Sequence, residues 1–255
     1  ITMTNILATD LMRGRNASFF PITMLLLALG ILIGGTNGLI IAETNIPPVV
    51  MTFGMSSIIR GGYLLYTGGA PKGKAPSFLR FLGSGRIGLV PVSIVVFAGL
   101  LALVLYLVYR TKWGNSVYYL GNNPTAAEYA GIPKTIRIVM IYAFSSLMAV
   151  FAGLILTGYI GVGNFKIGGD SYMLNSIASS VIGGNTFYGV GNMGGAVFGA
   201  IVLTETESVM TAFGIAKTGK LVMRGLIIIT MVTIYTRQIK GKRLIPFLGS
   251  GSESE

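Results

Sequence analysis

The feature that most constrains this chain is the run 138–160, IVMIYAFSSLMAVFAGLILTGYI, which contains no charged residue. The hydrocarbon core of a bilayer is about 30 Å thick and is crossed by roughly 20 predominantly apolar residues in a helix. A surface helix of a soluble fold keeps a polar face, and this run has none. Further predominantly apolar runs cover 19–41, 88–109, 194–213 and 219–236, the last two with a few charges, and the first run extends to 136–160 with Arg137 near its start. Two weaker candidates, 46–67 and 172–190, are only moderately apolar and are interrupted by glycines. Broken or half-spanning helices are expected to look like this; they are tolerated at membrane depth where they face protein or a water-filled cavity. The expected architecture is an all-α integral membrane protein: a polytopic transmembrane helix bundle of seven crossings, some broken or half-spanning. Residues 1–247 are expected to form one transmembrane domain, followed by a disordered tail or linker over 248–255. Residues 1–16 have neither a basic start nor an apolar core with a cleavage site, so they do not read as a signal peptide.

Composition narrows the function. Hydrophobic residues make up 52% of the chain and charged residues 11%. A soluble domain carries about 25% charged residues. The absence of Cys and His removes disulfides, thiolate or imidazole metal sites and any His-based triad. The formal net charge of +11 would suggest nucleic acid in a soluble protein. Here Lys and Arg fall mostly between apolar runs, where they orient and anchor spans, so no nucleic acid is expected. Arg110, Lys112, Lys134 and Arg137 share one side with Arg237, Lys240, Lys242 and Arg243 when the crossings are counted, and that side is expected to be cytoplasmic. One loop dissents. Residues 68–87 carry Lys72, Lys74, Arg80 and Arg86, yet alternation places them outside.

The loop 110–135 is the longest stretch of mixed polarity. Within it, Asn123-Pro124-Thr125-Ala126-Ala127-Glu128-Tyr129-Ala130-Gly131-Ile132 predicts a short helix, with Asn123 as cap, Pro124 in the first turn and Gly131 as terminator. Such a helix either packs against the bundle or slots into a cleft on another protein. Here the chain resembles the permease subunits of bacterial ABC importers, in their ribose, galactose and autoinducer branch. Gly114, Tyr118, Gly121, Asn123, Ala126, Ala127, Gly131 and Ile132 fill that family's cytoplasmic coupling pattern, while Tyr119 replaces its usual Ala. The segments 37–55, 60–69 and 174–200 are similar to the family's in order and spacing, with Asn175 in place of the usual Asp. The resemblance covers roughly 30–240; the family's acidic I-D-L-S-V-G motif and first spans are not found, so the expectation is that N-terminal spans are truncated or missing from the numbering.

The resemblance implies a type II-like importer permease in the bacterial cytoplasmic (inner) membrane. It implies a second permease copy or homologue, cytoplasmic ATPase subunits that hold ATP and Mg, and a periplasmic or lipid-anchored binding protein that delivers a simple sugar or sugar-like molecule. The chain itself would bind no cofactor and would not be an enzyme. Gly121, Asn122, Asn123, Ala126, Ala127, Glu128, Gly131 and Ile132 would form the ATPase-coupling loop. Small side chains at Ala126, Ala127 and Gly131 leave a low profile on which a partner's groove can close, with Asn122, Asn123 and Glu128 as polar contacts. Candidate path residues are Asn175, Ser179, Asn185 and Thr186, which offer hydrogen bonds to a neutral polyol, and Phe53, Met55, Phe187 and Tyr188 as apolar or stacking constrictions. The competing reading of the polar and small residues is helix–helix packing.

Glu205 and Glu207 lie inside an apolar span, where a charge costs roughly 2.5–3.5 kcal/mol on insertion scales. Residues i and i+2 of a helix point to different faces, so the two do not form a joint acid pair; Arg224 is a candidate partner for either. They sustain one alternative, an ion-coupled secondary transporter. A last motif, Gly189-Val190-Gly191-Asn192-Met193-Gly194, has the spacing of a dinucleotide fingerprint. It lacks the preceding strand and the acid about 20 residues on that such a site needs. Gly183, Gly184, Gly189, Gly191, Gly194 and Gly195 are better read as a place where a membrane helix stops, turns and packs closely, with Gly199 continuing the small face.

Overall fold

The structure is a computed structural model that describes residues 1–44, 46–185, 191–216, 218–227, 229–230 and 233. It divides into two compact units, Ile1–Gly169 and Asp170–Glu255.

Unit 1 is built on glycine. Helix α2 (Phe19–Thr44) lies along α8 (Lys134–Ile160). Gly30, Gly34 and Gly38 repeat at four-residue spacing on the contact face of α2. A Cβ on Gly34 would stand 2.4 Å from the Tyr142 carbonyl oxygen, and one on Gly38 would stand 2.7 Å from Cα of Val139. Two backbones at this distance exclude any side chain between them, and small-residue interfaces of this kind replace the missing hydrophobic drive between helices in lipid. Residues Thr2–Met12, which gave no span signal, form helix α1. Its Ile6, Ala8 and Met12 are buried, and Ala8 and Met12 share a core with Leu26, Leu79, Val150 and Leu154. The buried amide of Asn5 donates to Oγ1 of Thr157 at 3.0 Å and accepts from the Asn164 backbone N–H at 2.8 Å. Thr9 Oγ1 donates to the Asn5 carbonyl at 2.8 Å. These groups are polar, buried and partnered, as a fold with little water at its centre requires.

Helix α3 (Pro48–Thr67) corrects an expectation. The glycines of 46–67 do not break it: Gly54, Gly61 and Gly62 sit within one continuous helix and have open space where a Cβ would be. Between α3 and α5 (Val92–Arg110) lies a folded cap. Strand β1 (Lys72–Lys74) pairs antiparallel with β4 (Val162–Gly163), just after α8 ends at Gly161. Helix α4 (Ser77–Ser84) presses on the last turns of α8. Gly83 and Gly158 face each other there, and a Cβ on either would strike backbone at 2.2 Å or less. Strands β2 (Arg86–Ile87) and β3 (Val90–Pro91) form a hairpin. Its loop is Gly88-Leu89, and Gly88 takes φ +63°, as the first position of a type II′ turn demands. The cap therefore sits where α3 and α8 end and α5 begins. The dissenting loop 68–87 does lie at the end of unit 1 opposite the 110–135 segment, as alternation requires.

Unit 2 contains α9 (Asp170–Ile182), α10 (Met193–Ala212) and a helical run over 218–227. At 13 residues α9 is about 20 Å long, too short to cross a bilayer. It stops for a local reason. Gly184 takes φ +84°, its N–H reaches the Val181 carbonyl at 3.0 Å, and the Asn185 N–H reaches the Ser180 carbonyl at 3.1 Å. That is a Schellman cap, which ends a helix whatever the surrounding polarity. Helix α10 then returns against α9. A Cβ on Gly183 would lie 2.2 Å from the Gly195 carbonyl oxygen, and one on Gly199 would lie 2.1 Å from the Ser179 carbonyl oxygen. Among the described residues, three helices are long and apolar enough to cross a membrane: Asn16–Thr44, Val92–Arg110 and Lys134–Ile160.

Candidate functional site

The segment joining α5 to α8 is more ordered than a loop. Helix α6 (Lys112–Asn122) fills its first half, a correction to the reading of 110–135 as loop with one short helix. Thr111 caps α6, its Oγ1 accepting from the Gly114 N–H at 3.2 Å. A Cβ on Gly114 would meet the Val108 carbonyl oxygen at 1.9 Å, so only glycine lets α6 fold back against the end of α5. Trp113 packs edge-on against Phe144 of α8, with ring centroids 5.3 Å apart. The signal for α6 lay in the amphipathic spacing of Trp113, Ser116 and Leu120, which mixed polarity obscured.

Helix α7 (Pro124–Tyr129) follows as its sequence predicts. Asn123 Oδ1 accepts from the Ala126 N–H at 3.0 Å. At the far end Gly131 takes φ +80°, its N–H reaches the Glu128 carbonyl at 2.9 Å, and the Ile132 N–H reaches the Ala127 carbonyl at 3.0 Å. An Asn N-cap and a Schellman C-cap thus close six residues that have no length to stabilise themselves.

The two alanines part company. Ala127 is 3% exposed and is the one buried residue of α7, so it seats the helix rather than lending it a low outer profile. Asn122, Asn123, Ala126, Glu128 and Gly131 are exposed, and Gly121 and Ile132 are half-buried. Tyr129, 89% exposed, stands out from the same surface and is not among the residues singled out from the sequence.

The polar half-span is the second candidate. Thr186, Phe187 and Tyr188 lie outside the described residues. Asn185 works inside the turn: its Nδ2 donates to Ser180 Oγ at 3.1 Å and its Oδ1 accepts from the Asn192 N–H at 2.6 Å. Asn192 in turn caps α10, accepting from the Gly194 N–H at 2.9 Å. The Gly194 N–H is thus taken up by the Asn192 side chain, while Gly189 and Val190 of the dinucleotide-like spacing lie outside the described residues. Ser179 Oγ donates to the Ser176 carbonyl at 3.0 Å. Asn175, half-buried on α9, has a buried Oδ1 without a partner among the described residues. In unit 1, Phe53 is exposed on α3 and Met55 is half-buried.

Glu207 pairs with Arg224, which is 7% exposed and whose Nη1 also lies 3.5 Å from the Ser171 carbonyl. Arg224 was open to either acid by sequence; the structure gives it Glu207. Glu205 is exposed on another face of α10. The described residues hold no cluster of three or more acidic side chains that could take a metal ion.

Residues 2–232 match the family model described as branched-chain amino acid transport system / permease component. The chain is 34% identical over 225 residues to a galactose/methyl galactoside import permease protein of Haemophilus influenzae, covering 84% of this chain and 67% of that one. It is 33% identical to the fructose import permease protein of Rhizobium meliloti, covering 82% and 60%. It is 29% identical to the ribose import permease protein of Bacillus subtilis, covering 78% and 62%. No solved structure gives a significant match.

Proposed function

The chain belongs to the branched-chain amino acid transport system / permease component family, and from that membership we propose that it carries a simple sugar or sugar-like molecule across the bacterial inner membrane. In this reading the permease pairs with a second copy or homologue. An extracytoplasmic binding protein delivers the substrate, and ATPase subunits on the cytoplasmic face drive the cycle with ATP and Mg.

The observation that carries the proposal is α7. A six-residue helix capped at both ends, seated through Ala127 and bearing Ala126, Glu128 and Tyr129 outward, is a rigid projection at one end of unit 1. A projection transmits force only if it does not unwind, and the two caps supply that stiffness. Asn122 and Asn123 flank it, Gly121 leads into it, and Gly131 with Ile132 turns the chain into α8.

On the substrate side, Asn175 and Ser179 offer acceptors and donors to a neutral polyol. Weak, scattered polar contacts suit a carrier that must release what a tighter-binding protein brings. Phe53 and Met55 on α3, and Thr186, Phe187 and Tyr188 beyond α9, complete the proposed path; Asn185 serves it by fixing the turn. Ion coupling through Glu207 is disfavoured, because its carboxylate is paired with Arg224; Glu205 is left as the acid on which that alternative rests.

Two measurements test the proposal. Purified with its neighbouring subunits, the permease is expected to bring an ATPase with it, and Tyr129→Ala or Ala126→Arg to weaken that association without unfolding the protein. Uptake into vesicles is expected to require internal ATP; uptake driven by an ion gradient alone would overturn the reading.

A further inference from the structure

The end of unit 1 that carries the cap is strongly basic. Arg13, Arg15, Lys72, Lys74, Arg80 and Arg86 are all exposed there. Asp10 is the only acid in 1–42 and 68–91, and its carboxylate accepts a hydrogen bond from the Tyr66 hydroxyl. This end lies opposite α7. If α7 faces the cytoplasm, these cations stand on the side where membrane proteins ordinarily carry few, so topology does not account for them.

Their setting does. Helix α4 is held against the last turns of α8 through Gly83 and Gly158, and the β2–β3 hairpin runs directly into α5 at Val92. Both therefore sit at the depth where spans meet the headgroups. Along this one segment cations and exposed apolar side chains alternate. Arg80 lies between Phe78 and Phe81, each 47% exposed, and Arg86 precedes Ile87 and Leu89, the latter 99% exposed at the hairpin tip. A docked protein would gather apolar side chains into a core and leave charge at the rim. Alternation of basic and apolar groups suits the boundary between headgroups and acyl chains, where long cationic side chains reach outward and aromatic rings lie inward.

We propose that α4 and the β2–β3 hairpin form a binding surface for anionic phospholipid, with Arg80 and Arg86 on the headgroup phosphates and Phe78, Phe81 and Leu89 among the upper acyl carbons. The proposal rests on the membrane-spanning reading and is independent of the transported substrate. The segment is preorganised for this. Ala75 N–H donates to the Gly161 carbonyl at 2.9 Å, Gly14 N–H to the Lys74 carbonyl at 2.9 Å, and Phe78 N–H to Oδ1 of Asn16 at 3.0 Å.

The test uses the permease with its co-purifying subunits in phosphatidylcholine vesicles, with and without phosphatidylglycerol. Leu89→Trp supplies a reporter at a position with no packing to lose. Trp113 is the only native tryptophan, and the unsubstituted protein gives its background. Brominated phosphatidylglycerol is expected to quench the Leu89→Trp signal several-fold more strongly than brominated phosphatidylcholine. That preference is expected to fall roughly fivefold for each of Arg80→Gln and Arg86→Gln and to shrink with added salt. A second measurement, mass spectrometry of lipid retained on the unsubstituted protein and on the two arginine variants, reads the same preference without the reporter. Equal quenching by both lipids, or an unchanged preference in both arginine variants, overturns the proposal. So does absence of quenching by either lipid, which would mean that a second copy or a binding protein covers the hairpin.

Discussion

Asn123 starts α7 by accepting a hydrogen bond from the Ala126 N–H through its side chain. The Asn-Pro pair fixed the start of α7, because an Asn side chain and a proline both suit the first turn of a helix. Asn123→Ala removes the acceptor for the Ala126 N–H and is expected to cost about 1 kcal/mol of helix stability. Coupled ATPase activity of the assembled transporter should fall while the amount of assembled complex changes less. The sequence did not distinguish Ala126 from Ala127, since which of two adjacent alanines faces inward depends on how the neighbouring helices pack on α7. Ala127→Asp would bury a carboxylate and is expected to lower expression or melting temperature, whereas Ala126→Asp should spare both; thermal unfolding of the purified variants checks it. The pair in unit 2 gives an asymmetric expectation. Glu207→Gln strands the buried Arg224 guanidinium and should be destabilising by about 3 kcal/mol or more. Arg224→Gln strands a carboxylate that is partly exposed and should cost less. Thermal unfolding of both variants, with equal losses as the unfavourable outcome, decides the matter.

Among the elements, glycine has two uses that look alike in sequence. Gly34 and Gly158 each stand where a Cβ would strike a neighbouring backbone. Gly34→Leu or Gly158→Leu is expected to force α2 or α4 off α8 and abolish folding, read as loss of monodisperse protein in detergent. Gly54 and Gly61 of α3 face open space, so Gly54→Ala and Gly61→Ala should instead raise stability, by up to about 1 kcal/mol each, through helix propensity. The four-residue spacing of Gly30, Gly34 and Gly38 was not singled out as a packing signal, and the glycines of α3 were misread as breaks. Helix α9 went the other way. Its early end at a Gly pair was readable, because a Schellman cap is a local device. Helix α6 was hidden because its few apolar positions are buried by Phe144 and the end of α5, partners far away or set by a chain reversal.

For the whole molecule, sidedness follows from the alternation of spans. The chain has no native cysteine, so single cysteines report cleanly. Glu128→Cys is expected to react with an impermeant maleimide only from the cytoplasmic side, and Ser84→Cys only from the other, in intact cells against inverted vesicles. Labelling of both from one side would sink the topology.

Apolar length and the capping residues of α7 and α9 were determined by the sequence alone, because span formation and helix termination are decided within a few neighbouring residues. The motifs of 110–135 and 174–200 likewise point to a permease from sequence alone. The tertiary structure decided which glycines touch backbone, which alanine of α7 turns inward, which acid Arg224 takes, and that the dissenting basic loop is a folded cap at the far end of unit 1. Each of these depends on a partner distant in sequence, and burial and charge pairing are properties of the partner as much as of the residue.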